Sequence, residues 1–326
     1  MISSLGSLGG VRVSFFLIGM LALVAVDSHA QDKIRIGISS TSPGFLPTVV
    51  AEQKGFFAKY GLSSEHIRIS LAVAMNALGT GDLDYAITMA QGVSAAIRGV
   101  PVKLLMLTQD KLVFFLMVKP GIQQVGDLRN KTIGISYFGS TTHLVADVIA
   151  RRNGLVPGKD VNVLPCGDDN GRIVALDTNR VDAVIGGPPL NMWGEKKHYK
   201  VIAWAKDYTN LPQNAVIVTD KKIQQSADQV KRMMKGTIEA LRFIQTNKKE
   251  SIDILAAYSR SDRETAVGMF ESYFPAYSRD GTMSNEALQA ALDDALARAK
   301  MDKKIPLAQI ADRTLLAEVQ KEMGLK

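Results

Sequence analysis

The chain of 326 residues has one cysteine, Cys166, so no intrachain disulfide can form. Its four histidines, His29, His66, His143 and His198, are dispersed, and no His, Cys or Asp spacing suggests a metal site. It has neither a G-x-S-x-G elbow nor a strand-anchored G-x-G-x-x-G. Gly126 to Thr132 approaches a phosphate loop, but Asn130 stands where the second glycine belongs. The adjacent Asp168 and Asp169 read as caps at a helix start. No catalytic residue, metal or cofactor is therefore expected. Long basic runs are also lacking: 39 Lys and Arg are scattered among 32 acidic residues for a net charge of +7, which argues against a nucleic-acid partner.

Long apolar runs are scarce too, with one exception. Arg12 precedes an apolar run from Val13 to Val26, followed by Asp27-Ser28-His29-Ala30-Gln31. The run is shorter than the roughly 20 residues that span a bilayer. It fits a secretory leader cut after Ala30. No cysteine lies near the cut, so a lipid anchor is not expected, and the product should be exported. Lys103 and Lys111 bracket the next most apolar stretch.

The remaining sequence says much the same thing twice. Ile36-Gly37-Ile38-Ser39 recurs as Ile133-Gly134-Ile135-Ser136 at an offset of 97. Ala51 and Gly55 recur as Ala150 and Gly154 at 99, and Ala77-Leu78, Thr80, Asp84 and Ile87 recur as Ala175-Leu176, Thr178, Asp182 and Ile185 at 98. This period is too long for a solenoid, whose units run about 20–50 residues. Two matched lobes are expected, with a cleft between them where a small ligand would sit.

Short apolar runs alternate with helical stretches. Strands are expected at Ile34–Ser39, His66–Ala72, Tyr85–Ala90 and Lys103–Thr108, with helices at Leu46–Lys59 and Val93–Arg98. The second half repeats the plan with strands Thr132–Ser136, Val161–Pro165, Val181–Gly186 and Lys200–Ala205, and helices Thr141–Asn153, Asn170–Asn179 and Leu190–Lys196. This order indicates α/β lobes, each a mostly parallel sheet flanked by helices. Leu112–Lys119 and Ala215–Thr219 read as two crossover strands forming a hinge. Residues 31–118 with 219–326 make the first lobe and 119–218 the second, after a leader of residues 1–30. From Asp220 onward the pattern is helical, with Ser284 opening one helix.

Several elements match a known family in order and spacing. They are Ile34-Arg35-Ile36-Gly37, Val50-Ala51-Glu52-Gln53-Lys54-Gly55-Phe56-Phe57, Ala77-Leu78-Gly79-Thr80-Gly81-Asp82-Leu83-Asp84, Asp127-Leu128 and Lys131-Thr132-Ile133-Gly134. Gly139-Ser140-Thr141 and Val181-Asp182-Ala183 complete the set. Together they resemble the periplasmic solute-binding proteins of nitrate, sulfonate and taurine ABC importers, a group that includes a thiamine-precursor-synthase-like branch. The resemblance implies a two-lobed type II periplasmic-binding-protein fold. It also implies a periplasmic receptor that closes on a small-molecule solute and docks on an ABC permease, and through it on the ATPase. A monomer is expected.

Ligands of open parallel sheets bind beyond the carboxyl ends of the strands. The loops there are Ser40-Thr41-Ser42 leading to Phe45, and Tyr137 through Gly139, Ser140, Thr141 and Thr142. Each leads into a helix start, which suits an anion. Gln91 and Gln109 follow strands, Pro188 reads as a wall of the second lobe, and Trp193 lies a turn beyond. Ser140 and Thr141 could equally be ordinary helix caps. The alkanesulfonate branch tends to carry Tyr-Gln where this chain has Ile38-Ser39. With Phe45, Tyr137, Phe138 and Trp193 at hand, a small organic anion is expected, more an aromatic or heterocyclic acid than a sulfonate. An enzyme of the synthase-like branch is the alternative, disfavoured by the export leader and the missing cysteine-rich motif. A receptor feeding a sensor is a further one.

Overall fold

The computed structural model describes residues 31–325, so the expected leader and its cut after Ala30 lie outside the described residues. The described residues form two five-stranded mixed sheets. The first runs β2 (Leu62–Arg68), β1 (Asp32–Ile38), β3 (Tyr85–Ile87), β10 (Asn214–Thr219), β4 (Val102–Gln109). The second runs β7 (Asn162–Pro165), β6 (Thr132–Ile135), β8 (Ala183–Gly186), β5 (Phe115–Val118), β9 (Lys200–Trp204). Within each sheet the first three strands are parallel, and the inserted crossover strand is antiparallel to both neighbours.

The sequence repeat therefore falls on equivalent strands, β1 with β6 and β3 with β8. Its residues do the same structural work twice. The Asp84 carboxylate accepts the Arg35 N–H at 2.8 Å, and Asp182 accepts the Thr132 N–H at 2.9 Å. Each aspartate thus ties the start of one strand to the strand beside it. Gly37 and Gly134 leave room for close packing. A Cβ on Gly37 would meet Leu83 Cδ1 at 2.7 Å, and one on Gly134 would meet Val184 Cγ1 at 3.1 Å.

Three expectations are corrected. The strand placed at His66–Ala72 is β2, four residues earlier, and a helix begins at Leu71. The Ser70 hydroxyl caps that helix by accepting the Val73 N–H, a start signal hidden inside the apolar run. The helix placed at Leu46–Lys59 breaks at Gly55, whose φ of 71° is left-handed. Each crossover strand, finally, pairs in the sheet it enters. The boundaries drawn at 118/119 and 218/219 therefore leave β5 and most of β10 with the wrong lobe.

The C-terminal helices close the back of the first sheet. In the Ala227–Thr246 helix, Val230, Met233, Met234, Ile238, Leu241 and Ile244 are buried on one face against Ile34, Ile36 and Val49. Fully burying side chains of this size contributes about 1.5–3 kcal/mol each, which anchors this face of the lobe.

Candidate functional site

The loops after β1 and β6 face each other across a cavity of about 360 Å³. Of the residues singled out in the sequence, Ser40, Ser42, Phe45, Gln91, Tyr137, Ser140, Thr141 and Thr142 line it. Thr41 and Trp193 line a neighbouring hollow of about 350 Å³, which shares Ser40, Ser42, Arg68, Asp168 and Asp169 with the first. Gln109 is fully buried behind the wall, where its Oε1 accepts the Asn214 amide at 2.8 Å. Gly139 stands outside the wall, and its carbonyl accepts the Gln91 side-chain amide at 3.0 Å across the seam between lobes. Gly187 lines the cavity, whereas Pro188 does not.

The two helix starts offer less to an anion than their sequences suggest. In the first lobe, Pro43 opens a short 3₁₀ turn and Pro47 lies in the first turn of the next helix; neither has an N–H to give. In the second lobe the Ser140 hydroxyl accepts the His143 N–H at 3.1 Å, and the Ser136 N–H donates to the Thr142 hydroxyl at 2.9 Å. Ser140 is buried and is a helix cap. Ser140→Ala should therefore lower the unfolding free energy by about 1 kcal/mol, measured by urea denaturation. An unchanged midpoint would show that the cap contributes nothing.

The wall also holds residues the sequence reading missed, chiefly Arg68, Arg172, Gln213, Asn214, Tyr273 and Phe114. Arg68 ends β2, so placing that strand four residues earlier would have brought it into the loop region. Tyr273 comes from the far C-terminal part of the chain, at the end of the Arg263–Tyr273 helix, and no local signal points to it. Asp168 does cap its helix, accepting the Gly171 N–H at 3.1 Å. It also bridges the lobes, since Arg68 donates to its carboxylate at 3.2 Å.

Charge in the wall is balanced. Arg172, only 4 % exposed, pairs with Asp169 and donates to the Gly167 carbonyl at 2.8 Å. Arg68 and Asp168 form the second pair. Burial pushes the Tyr137 hydroxyl up to about 12 and that of Tyr273 higher still, so both are neutral hydrogen-bonding groups at neutral pH. The site presents hydroxyls, amides and aromatic faces around two matched ion pairs, an arrangement suited to holding a solute with an apolar body and polar edges.

Residues 42–251 match the family model described as NMT1/THI5 like. A riboflavin-binding protein, RibY, from Chloroflexus aurantiacus is 27 % identical over 221 residues, covering 64 % of this chain; the chain spans 61 % of that relative. Among solved structures, the nitrate-binding protein NrtA from Synechocystis PCC 6803 superposes with a TM-score of 0.76 at 13 % identity, covering 91 % of this chain and 90 % of that one. The aliphatic sulphonate-binding protein SsuA from Escherichia coli gives 0.72 at 16 % identity, over 87 % and 93 % of the two chains. These likenesses establish the two-lobed periplasmic-binding-protein fold. With the family model matching more than half of its length, the chain belongs to the NMT1/THI5-like family.

Proposed function

We propose that this protein is the exported solute receptor of an ABC importer. It captures a small organic acid with an aromatic or heterocyclic body in the inter-lobe cavity and delivers it to a membrane permease. The observation that carries this reading is the cavity itself, lined by both lobes and walled by Phe45, Phe114, Tyr137 and Tyr273 among serines and threonines. Its titratable lining consists of two arginine–aspartate pairs and two tyrosines, which suits binding better than bond-making. The riboflavin-binding relative supports a heterocyclic guest. A micromolar dissociation constant requires about 8 kcal/mol, and helix dipoles supply only about 0.3–2 kcal/mol each. Aromatic enclosure and side-chain hydrogen bonds must therefore provide most of the affinity. An acidic solute would take Arg68, whose side chain is 60 % exposed, from Asp168, because Arg172 is already held on two sides.

Thermal-shift screening of the purified protein against sulfonates, carboxylates, flavins and other heterocycles tests this. A true solute at 100 times its dissociation constant should add about 2.7 kcal/mol and be recovered unchanged. Stabilisation by inorganic anions alone would overturn the ligand class, and turnover of the hit would overturn the receptor.

A further inference from the structure

His143 stands behind the cavity wall, in the first turn of the Thr141–Arg152 helix. Its Nδ1 accepts the Gly139 N–H at 3.0 Å, which requires an imidazole unprotonated at that atom. The other face of the same residue, the Gly139 carbonyl, accepts the Gln91 amide at 3.0 Å. Gln91 belongs to the other lobe, in the Ala90–Ile97 helix, where the Thr88 hydroxyl holds its Oε1. A chain of contacts thus runs from the imidazole through the backbone of one residue, Gly139, across the seam.

The charged surroundings of the ring come from two helices. Asp147, on its own helix, places Oδ1 at 3.8 Å from Nε2. The Asn285–Ala299 helix brings Asp294 and Arg298, themselves paired at 2.8 Å. Burial holds the imidazole below its ordinary value of 6.5; Asp147 opposes this, Arg298 reinforces it and Asp294 opposes it. The Phe138 ring packs edge-on against the imidazole, with centroids 5.4 Å apart.

We propose that His143 is a positioning residue for the solute cavity: its neutral ring fixes the Gly139 loop against Gln91, and its protonation releases that loop and lets the lobes part. The proposal rests on reading the cavity as a solute site. A protonated ring presents an N–H to the Gly139 N–H, which then has no acceptor. The loop carrying Tyr137 and Ser140 loses the tie at Gly139 while its other hydrogen bonds remain, and the Gly139 carbonyl is no longer held in place for Gln91. The joined form binds fewer protons than the parted one, so acid favours parting. With burial holding the ring below its ordinary value of 6.5, release is expected beneath that pH and the joined form above it.

The test uses ligand-free protein between about pH 7.5 and about pH 5. Histidine-selective NMR follows the His143 ring, amide exchange corrected for its intrinsic rate follows Gly139, and small-angle scattering follows lobe separation. Gly139 protection should fall at least about tenfold, a loss of roughly 1.4 kcal/mol, with the midpoint of the His143 ring and with an increase in radius of gyration. In His143→Gln, which keeps an acceptor that cannot titrate, protection should stay flat. Protection that falls equally in His143→Gln, or at a midpoint other than that of the ring, would overturn the proposal. The comparison of midpoints in the unmodified protein stands even if the variant fails to fold. No solute is used, so failure here leaves the receptor reading intact, and a failed solute screen leaves this result intact.

Discussion

Replacing Arg172 with methionine should destabilise the fold by about 2 kcal/mol, lowering the melting temperature by several degrees. The side chain is 4 % exposed and its guanidinium is shared between Asp169 and the Gly167 carbonyl. Methionine fills similar space but leaves a carboxylate and a carbonyl without their donor. Breaking a fully buried pair by removing one partner costs about 3–5 kcal/mol. The Asp169 side chain is 31 % exposed and can regain some water, which places the expected loss below that range. Removing both charges in Arg172→Met/Asp169→Asn should recover part of it, because no uncompensated charge is left behind. A double variant less stable than Arg172→Met would contradict this account of the wall. Chemical denaturation of the three proteins decides the matter.

The largest functional effect is expected at Gly187. Here the constraint is contact rather than backbone conformation. A Cβ would lie 2.9 Å from the Tyr273 hydroxyl and 3.5 Å from the Phe114 ring. Tyr273 belongs to the helix that closes the first lobe, whereas Gly187 follows β8 in the second. Gly187→Ala therefore pushes the lobes apart where they meet around the cavity. Stability without solute should change little, because parting relieves the clash. Solute affinity should fall about tenfold or more. A concentration that gives about 2.7 kcal/mol of stabilisation in the unmodified protein would then give about 1.4 kcal/mol or less. Equal affinity in Gly187→Ala, measured by calorimetry, would mean that the lobes do not close on the guest at this point.

The duplicated architecture was legible in the sequence because the repeat falls on residues with obligatory structural roles. Gly37 and Gly134 admit close neighbours, and Asp84 and Asp182 tie strand starts. Such roles tolerate few substitutes and keep their spacing. β2 was misplaced for the opposite reason. It is an edge strand with alternating exposure, so its polar residues blurred the pattern, while the apolar start of the following helix resembled a strand. That shift moved Arg68 out of the loops and out of the expected site.

The site was half visible for similar reasons. Loops that follow β1 and β6 can be found by locating strand ends, and they supplied Ser40, Ser42, Tyr137 and Thr141 to the wall. Phe114 and Asn214 reach it at the outgoing and return crossovers, and Tyr273 through the packing of a distant helix. The crossover strands are legible locally, but which of their residues turn into the cavity is not. Arg172 lies one turn into a helix whose first residues read as caps. Both roles hold at Asp168, which satisfies the Gly171 N–H while meeting Arg68 from the other lobe.

Hydrogen–deuterium exchange of the protein with and without a stabilising solute tests the central claim most directly. Protection is expected to appear together in 40–45 of the first lobe and in 137–142 and 168–172 of the second, with the solute recovered chemically unchanged. Protection confined to one lobe, or a solute converted during the experiment, would contradict a two-sided clamp that binds without reacting.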